Sequence, residues 1–395
     1  MKLKSDKWLN GVLPALLIHL SIGSIYAFSL LVKPLAKYMM CTEEQIQICF
    51  SLIILCFGIT AAFVGPKLEE KLKNISTFGG FIFIIGLFLT SLLIKYKILW
   101  MFYITCGVLC GVGLGILYLT PCKTLMLYFE KHKGLGIGLG LMGFGFGETL
   151  AAPLIVSLLE QYPNNLEKVF MCLALVYFIP LLIGDILLTK PEILIKSQKD
   201  NFSYIKLLKD KFFIISWIMF FLHIHCGLSI ISVASPMMSE MGANTMFIAL
   251  VIAIMGLCNG GGRMFFGTIS DHIAHRSFMY LITLGISIVS IYSYVFLPNI
   301  FTLGLLLCGI SAFYGAGFTL IAPLLADKYG MEHISAIHGL ILTAWAIAGI
   351  TGNNMSVIIH YFTGSYELIY SIIGMLYMVA LLCSVYLVFN NKNIE

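Results

Sequence analysis

Apolar residues along this chain gather into long runs separated by short polar stretches. The runs fall at roughly 8–32, 46–65, 76–94, 98–121, 134–159 and 168–189. They resume at roughly 212–236, 244–266, 277–297, 299–325, 335–360 and 366–389. A helix needs about 20 apolar residues to cross the hydrocarbon of a bilayer, so each run is long enough to span. The pattern therefore predicts an all-α membrane protein of twelve transmembrane helices. The segment 190–211 (KPEILIKSQKDNFSYIKLLKDK) is the longest polar piece. It divides the chain into a first six-helix half (1–189), a linker (190–211) and a second six-helix half (212–395).

Composition agrees. Of the 395 residues, 59% are hydrophobic and only 11% charged, more apolar surface than a soluble domain can hide. The net charge of +5 is then a matter of which loops carry it, and it gives no sign of a nucleic-acid partner. Most Lys and Arg residues lie at the N-terminus, in the loops 67–75, 129–133, 190–211, 267–277 and 326–334, and at the C-terminus. Lys33, Lys37, Lys95, Lys97 and Lys168 face the other side. Positive loops stay inside, so both termini are expected in the cytoplasm. MKLKSDKW leads straight into the first apolar run with no small-residue cleavage site, which reads as a spanning helix and not a removed signal.

The halves repeat. Gly65-x-x-x-Glu69 matches Gly267-x-x-x-Asp271 at an offset of 202 residues. The same offset carries Pro34 to Pro236, Gly58 to Gly260, Cys106-Gly107 to Cys308-Gly309, Gly113 to Gly315, Gly115 to Gly317 and Pro121 to Pro323. Two copies that each cross an even number of times are parallel, related by an axis along the membrane normal.

Several motifs carry less than they suggest. The fifth helix opens GLGIGLGLMGFGFG, which contains GxGxxG but has no preceding strand, so a dinucleotide site is not implied. Small residues four apart (Gly136/Gly140, Gly143/Gly147) instead allow two membrane helices to approach closely. His223 and His225 are two apart and point about 200° from each other on a helix, so one helix cannot chelate with both. The 11 cysteines are scattered without metal spacing. No metal and no cofactor is expected.

Ionisable residues in or near apolar runs each need a reason, because a charge at the bilayer centre costs about 2.5–3.5 kcal/mol on insertion scales. They are His19, Lys123, Glu148, Asp185, His223, His225, Arg263 and His338. Lys123, Asp185 and Arg263 lie near helix ends, where a long side chain can reach the interface. Glu148 lies about midway along its helix. Arg263 and Arg276 are the only two arginines. Arg263 follows Asn259-Gly-Gly-Gly inside an apolar run, and on the residues alone it is either a substrate ligand or a tether to the loop aspartates.

The two-copy pattern and the loop GTISDHIAHR resemble the major facilitator superfamily. The first copy of the loop, GPKLEEKLKN, departs from that signature at Glu69 and in having lysines for arginines. Three further stretches look like the oxalate:formate antiporter family and, more distantly, the monocarboxylate transporters. These are Ile22-Gly23-x-x-Tyr26-Ala27-Phe28-Ser29, Gly111-x-Gly113-x-Gly115-x-x-Tyr118-x-x-Pro121 with Tyr128-Phe129-Glu130-x-x-x-Gly134, and Asn259-Gly-x-Gly-Arg263-x-x-x-Gly267-x-x-Ser270-Asp271. The resemblance implies that Arg263 holds a substrate carboxylate, and its planar fork suits two parallel hydrogen bonds. It also implies that Tyr26, Tyr118, Tyr314 and Phe318 wall the cavity. Trp345 stands where the oxalate carriers add a second cation, a lysine, on the eleventh helix, and this disfavours oxalate. Leu30 and Asn259 stand where animal-type monocarboxylate carriers use a lysine and an aspartate for proton coupling. That role would pass to His225, His338 or Glu148.

The expected protein is thus a secondary active transporter moving a small organic monocarboxylate of the pyruvate, lactate or formate type, by symport or exchange. Two other readings stay open: a carrier of a drug-like or other organic solute with Arg263 structural, and a non-transporting sensor of the same fold. A membrane enzyme would need a clustered nucleophile, base or metal set, and the sequence presents none. The expected partners are a small organic anion, protons and the lipid bilayer, with the chain a monomer in the plasma membrane. The charge asymmetry is tested by Ser197→Cys, which should stay unreactive toward a membrane-impermeant maleimide in intact cells; ready labelling would reverse the orientation.

Overall fold

A computed structural model describes residues 6–191 and 203–390, with the side chains of 69–75 and 245 outside the description. Glu69 of the first loop signature and residues 192–202 of the 190–211 segment therefore lie outside the described residues. Twelve helices among those described are long and apolar enough to cross a membrane. They are α1 (Trp8–Met39), α2 (Glu43–Leu68), α3 (Ser76–Tyr96), α4 (Leu99–Tyr128), α5 (Lys133–Gln161) and α6 (Leu166–Leu187). The remainder are α7 (Lys211–Ile231), α8 (Met246–Ser270), α9 (Ser277–Phe296), α10 (Ile300–Tyr329), α11 (Ile334–Thr363) and α12 (Glu367–Asn390). No strand occurs among the described residues.

Local chemistry sets the ends. Thr42 and Asn299 each form a reciprocal cap, with Gln45 and Thr302, at the starts of α2 and α10. Asn165, Asp210 and Asn244 accept from backbone amides at the starts of α6, α7 and α8. The helices extend several residues beyond many of the apolar runs, because polar residues can continue a helix once it leaves the hydrocarbon. Within α1 the stretch Ser24–Phe28 tightens to a 3-10 turn, the very place where Tyr26 projects.

Packing is governed by glycine. A side chain at Gly111 or Gly115 of α4 would strike Ile53 or Phe57 of α2, and one at Gly113 would strike Phe83 of α3. Helix α5 has two such faces. Gly143 and Gly147 sit against Leu16, Leu20 and Gly23 of α1, while Gly138 and Gly145 sit against Arg263 and Gly260 of α8. Without hydrophobic drive between helices in lipid, close backbone approach of this kind supplies the dispersion contacts that hold them.

The repeat detected in sequence reappears in the packing. Gly58 of α2 lies against Leu342 and Ala346 of α11, and its equivalent Gly260 of α8 lies against Met142 and Phe146 of α5. Likewise Gly65 meets Ser335 at the start of α11, and Gly267 meets Gly134 at the start of α5. The pairs α2–α11 and α5–α8 are thus related by the same 202-residue offset that relates the glycines.

At Gly145 an added Cβ would fall 2.3 Å from the Gly260 nitrogen. Backbone cannot step aside as a side chain can. Gly145→Ala should therefore destabilise by about 1–3 kcal/mol, as overpacking does, whereas Gly261→Ala, which meets nothing within 4 Å, should be neutral or stabilising. Thermal melting of the two variants in detergent checks this, and equal melting temperatures would contradict it.

Candidate functional site

Asn259 and Arg263 lie one turn apart on α8, so their side chains share a face. Arg263 is wholly buried, and its Nε donates to Asn259 Oδ1 at 3.0 Å. Gly315 of α10 makes room for the pair, since a Cβ there would lie 2.7 Å from Asn259 Oδ1. The guanidinium carbon is 5.2 Å from the Phe144 ring centre and 5.0 Å from that of Phe318. Stacking between two aromatic faces offsets part of the cost of burying the cation, at about 2 kcal/mol for each desolvated contact.

Neither Nη1 nor Nη2 of Arg263 has a hydrogen-bond partner among the described residues. The tether to loop aspartates is not what this residue makes. Asp271 is bound instead by Arg276, through Nη2 to Oδ1 at 2.7 Å.

An aromatic cage closes around the cation. Trp345 of α11, fully buried, stands 4.4 Å from Phe57 and 4.7 Å from Phe318, ring centre to ring centre. Tyr118 faces Phe57, Phe144 and Trp345. Above the cage, the hydroxyls of Tyr26 and Tyr314 meet at 3.0 Å, joining α1 to α10 across 288 residues of chain. The Tyr118 hydroxyl and Trp345 Nε1, like the two Arg263 nitrogens, have no hydrogen-bond partner among the described residues. Four buried polar groups, three of them pure donors, thus belong to one cage.

On the side away from the termini the structure is open. A cleft of about 70 Å³ is lined by Val32, Gln47, Ser232, Ser235 and Ile252, with Tyr26, Glu148 and Asn353 also in its wall. Tyr26 separates this cleft from the caged arginine. The end that carries the termini is closed. Asp271 at the end of α8 accepts from the backbone amides of Gly134 at 2.9 Å and Leu135 at 2.7 Å, at the start of α5. That helix has no side-chain cap of its own, so a carboxylate from α8 fills the role, where the helix dipole favours it. Arg276 Nε and Lys133 Nζ both reach Asp327, at 2.6 and 3.0 Å, completing a ladder from α5 to α10.

The remaining sequence candidates separate. His225 is held by Thr351 at 2.9 Å and Met355 at 3.4 Å, between α7 and α11. His338 is buried with its ring centre 5.8 Å from that of Tyr118, at the edge of the cage. Glu148 alone of the three lines the cleft. Sequence reasoning missed Phe144 and Phe57. Phe144 left a trace, as one of two aromatics set between glycines in GLMGFGFG; Phe57 left none.

A helical protein of twelve spans, latched at one end, open at the other, with a cation sealed between them, is built as a membrane carrier of small solutes. The sequence model of the Major Facilitator Superfamily matches residues 14–353, and the chain belongs to that superfamily. It is 26% identical over 356 residues to an uncharacterized MFS-type transporter of Escherichia coli K12, YhjX, covering 87% of this chain and 86% of that one. It is 24% identical over 365 residues to the oxalate:formate antiporter of Oxalobacter formigenes, covering 89% and 85%. Its fold is similar to that of the E. coli fucose:proton symporter, with a TM-score of 0.74 at 16% identity over 95% of this chain and 98% of that one. The proton:xylose symporter XylE gives 0.76 at 14% identity over 94% of each.

The latch predicts a conformational bias. Asp271→Asn removes the charge at the start of α5 and the partner of Arg276. It should shift the population away from the open-cleft form by about fivefold or more, the usual size of such couplings. With the native cysteines replaced, Ser235→Cys in the cleft mouth should then react with a maleimide correspondingly more slowly; an unchanged rate would remove the latch from the account.

Proposed function

We propose that the protein is a secondary active transporter of a small organic monocarboxylate, of the pyruvate, lactate or formate type, with Arg263 as the carboxylate ligand. One observation carries this reading: three of the four unpartnered groups in the cage around Arg263 are pure donors, two of them on the guanidinium itself. A carboxylate is acceptor-only, with about four lone-pair sites. A buried donor left unpaired costs about 1–3 kcal/mol, and more for a charged one, so a donor-rich cage around a cation suits an anion better than a neutral sugar hydroxyl. The sugar symporters similar in fold therefore do not guide the substrate. The relative named as an oxalate:formate antiporter supports a carboxylate.

Trp345 argues for one carboxylate over two. It fills the space beside Phe57 and Phe318, so a second carboxylate would meet an indole and no cation, at a cost of several kcal/mol. Entry requires the Tyr26–Tyr314 pair to part, and release to the other side requires the Asp271 latch to open. With the termini cytoplasmic, the structure is the outward-facing member of that cycle, and the plasma membrane is the place where it would serve.

If Arg263 binds the carboxylate through its fork, a point charge is a poor replacement. Arg263→Lys should weaken pyruvate binding by at least about tenfold, as loss of a buried charged pair does, and nearly as much as Arg263→Ala. Binding by isothermal calorimetry on monodisperse detergent-solubilised protein separates recognition from folding. A well-folded Arg263→Lys variant with wild-type affinity would make the arginine structural.

A further inference from the structure

A groove on the lipid-facing side of the first half is built from two stripes. Thr77, Phe81 and Ile84 follow one another along α3, and Asp185, Leu182 and Phe178 follow one another along α6. Each stripe steps by about one turn, so the groove runs roughly 10 Å from the terminus-bearing end toward the membrane interior. Its polar members are confined to that end, and the rest of its lining is apolar. Phe81, Leu182 and Phe178 are exposed, which in a membrane means exposed to lipid. Gly80 lines the groove as well, and an added Cβ there would meet nothing within 4 Å. This glycine leaves space open, whereas those at 111, 113 and 115 close it.

The polar end is incomplete. Thr77 Oγ1 donates to Asp185 Oδ2 at 2.6 Å. Asp185 Oδ1, closed off from solvent, has no hydrogen-bond partner among the described residues. Neither has the hydroxyl of Ser76, a residue only 1% exposed that also lines the groove. No described Lys, Arg or His forms an ion pair with Asp185. A carboxylate oxygen can only accept, and one left unsatisfied at the edge of the hydrocarbon is costly, because little water reaches it. A negative charge and a second acceptor thus wait at the head of an apolar track that opens to the bilayer.

We propose that this groove between α3 and α6 binds a membrane lipid whose head carries a primary ammonium, such as phosphatidylethanolamine, from the leaflet on the side of the termini. An ammonium has three N–H donors and no acceptor. It gives one to Asp185 Oδ1 and one to Ser76 Oγ, and its charge balances the carboxylate. An acyl chain of the same molecule then lies between Phe81 and Ile84 on one side and Leu182 and Phe178 on the other. Head and tail are matched in order as well as in kind, because the acceptors sit at the interface and the apolar stripes lie deeper. A choline head brings the charge without an N–H, so it leaves both acceptors unsatisfied. A phosphatidylglycerol head has no cation to offset the charge of Asp185.

Native mass spectrometry of the full-length protein with equal amounts of phosphatidylethanolamine, phosphatidylcholine and phosphatidylglycerol, all with the same acyl chains, tests this. The wild type should retain the ethanolamine lipid at least about tenfold over the other two, the factor that one charge-assisted hydrogen bond contributes. Asp185→Asn keeps an acceptor for Thr77 but loses the charge, and it should hold the ethanolamine and choline lipids equally. Gly80→Leu grows into the open space of the groove and should lower retention of the ethanolamine lipid by a similar factor. Melting temperatures of lipid-free protein check that both variants are folded. Free ethanolamine at the lipid concentration should fail to displace the lipid; displacement would make this a site for a soluble amine and overturn the lipid assignment. Equal retention of the ethanolamine and choline lipids by wild type, or an undiminished preference in folded Asp185→Asn, would overturn the site itself.

Discussion

The structure depends on one buried guanidinium whose hydrogen bonds are left incomplete. A buried arginine inside a membrane helix is tolerated when it is paired, and Arg263 is given a single bond, to Asn259, and two aromatic faces. Its two remaining nitrogens have no hydrogen-bond partner among the described residues. Most of the surrounding architecture is what allows that arrangement to persist. Glycines at 138, 145 and 315 bring α5 and α10 close enough to α8 to exclude lipid from the cation, and rings from α2, α4, α5, α10 and α11 exclude other polar groups.

The same packing makes the site movable. Glycine contacts between α5 and α8 hold through dispersion and carry few directional bonds, so one helix can tilt against the other at small cost. Direction is imposed at the ends. At the terminus-bearing end, Asp271, Arg276, Asp327 and Lys133 form charge-assisted bonds, with the Asp271 side chain only 1% exposed. At the opposite end the cleft is lined by Gln47, Ser232 and Ser235, and the ion pair there among the described residues, Glu240 with His360, lies within the second half alone. Between the two lies the hydroxyl pair of Tyr26 and Tyr314, a neutral bond worth about 1 kcal/mol net, weak enough to be exchanged for contacts with a substrate. A strong latch, a weak lid and a charged floor make a site reachable from one face.

Much of the fold was legible in the sequence because the length of an apolar run is a local property. The predicted spans differ from the observed helices mainly at their ends, where polar residues such as Lys328 and Tyr329 continue α10 beyond its apolar stretch. The repeat was legible because Gly58, Gly65, Gly260 and Gly267 are fixed by backbone contact, which tolerates no substitute. Arg263 stood out because it is one of two arginines. What could not be read depends on which helix faces which. Tyr26 and Tyr314 are 288 residues apart, and nothing local marks them as partners. In α5 glycines occur on several faces, so the sequence did not say that Glu148 opens to the cleft while Phe144 turns to the cation. His225, His338 and Glu148 were equivalent as candidates until the packing separated them.

Competition of ligands for the purified protein tests the central claim most directly, because it asks what the cage recognises. Pyruvate, its methyl ester and oxalate differ in the number of ionised carboxylates while remaining close in size. A cage of donors with one cation and an indole in place of a second predicts that pyruvate binds best, that the ester loses at least about tenfold, and that oxalate is excluded as strongly as an unpaired buried charge requires. Equal competition by the ester, or oxalate binding as tightly as pyruvate, would contradict it.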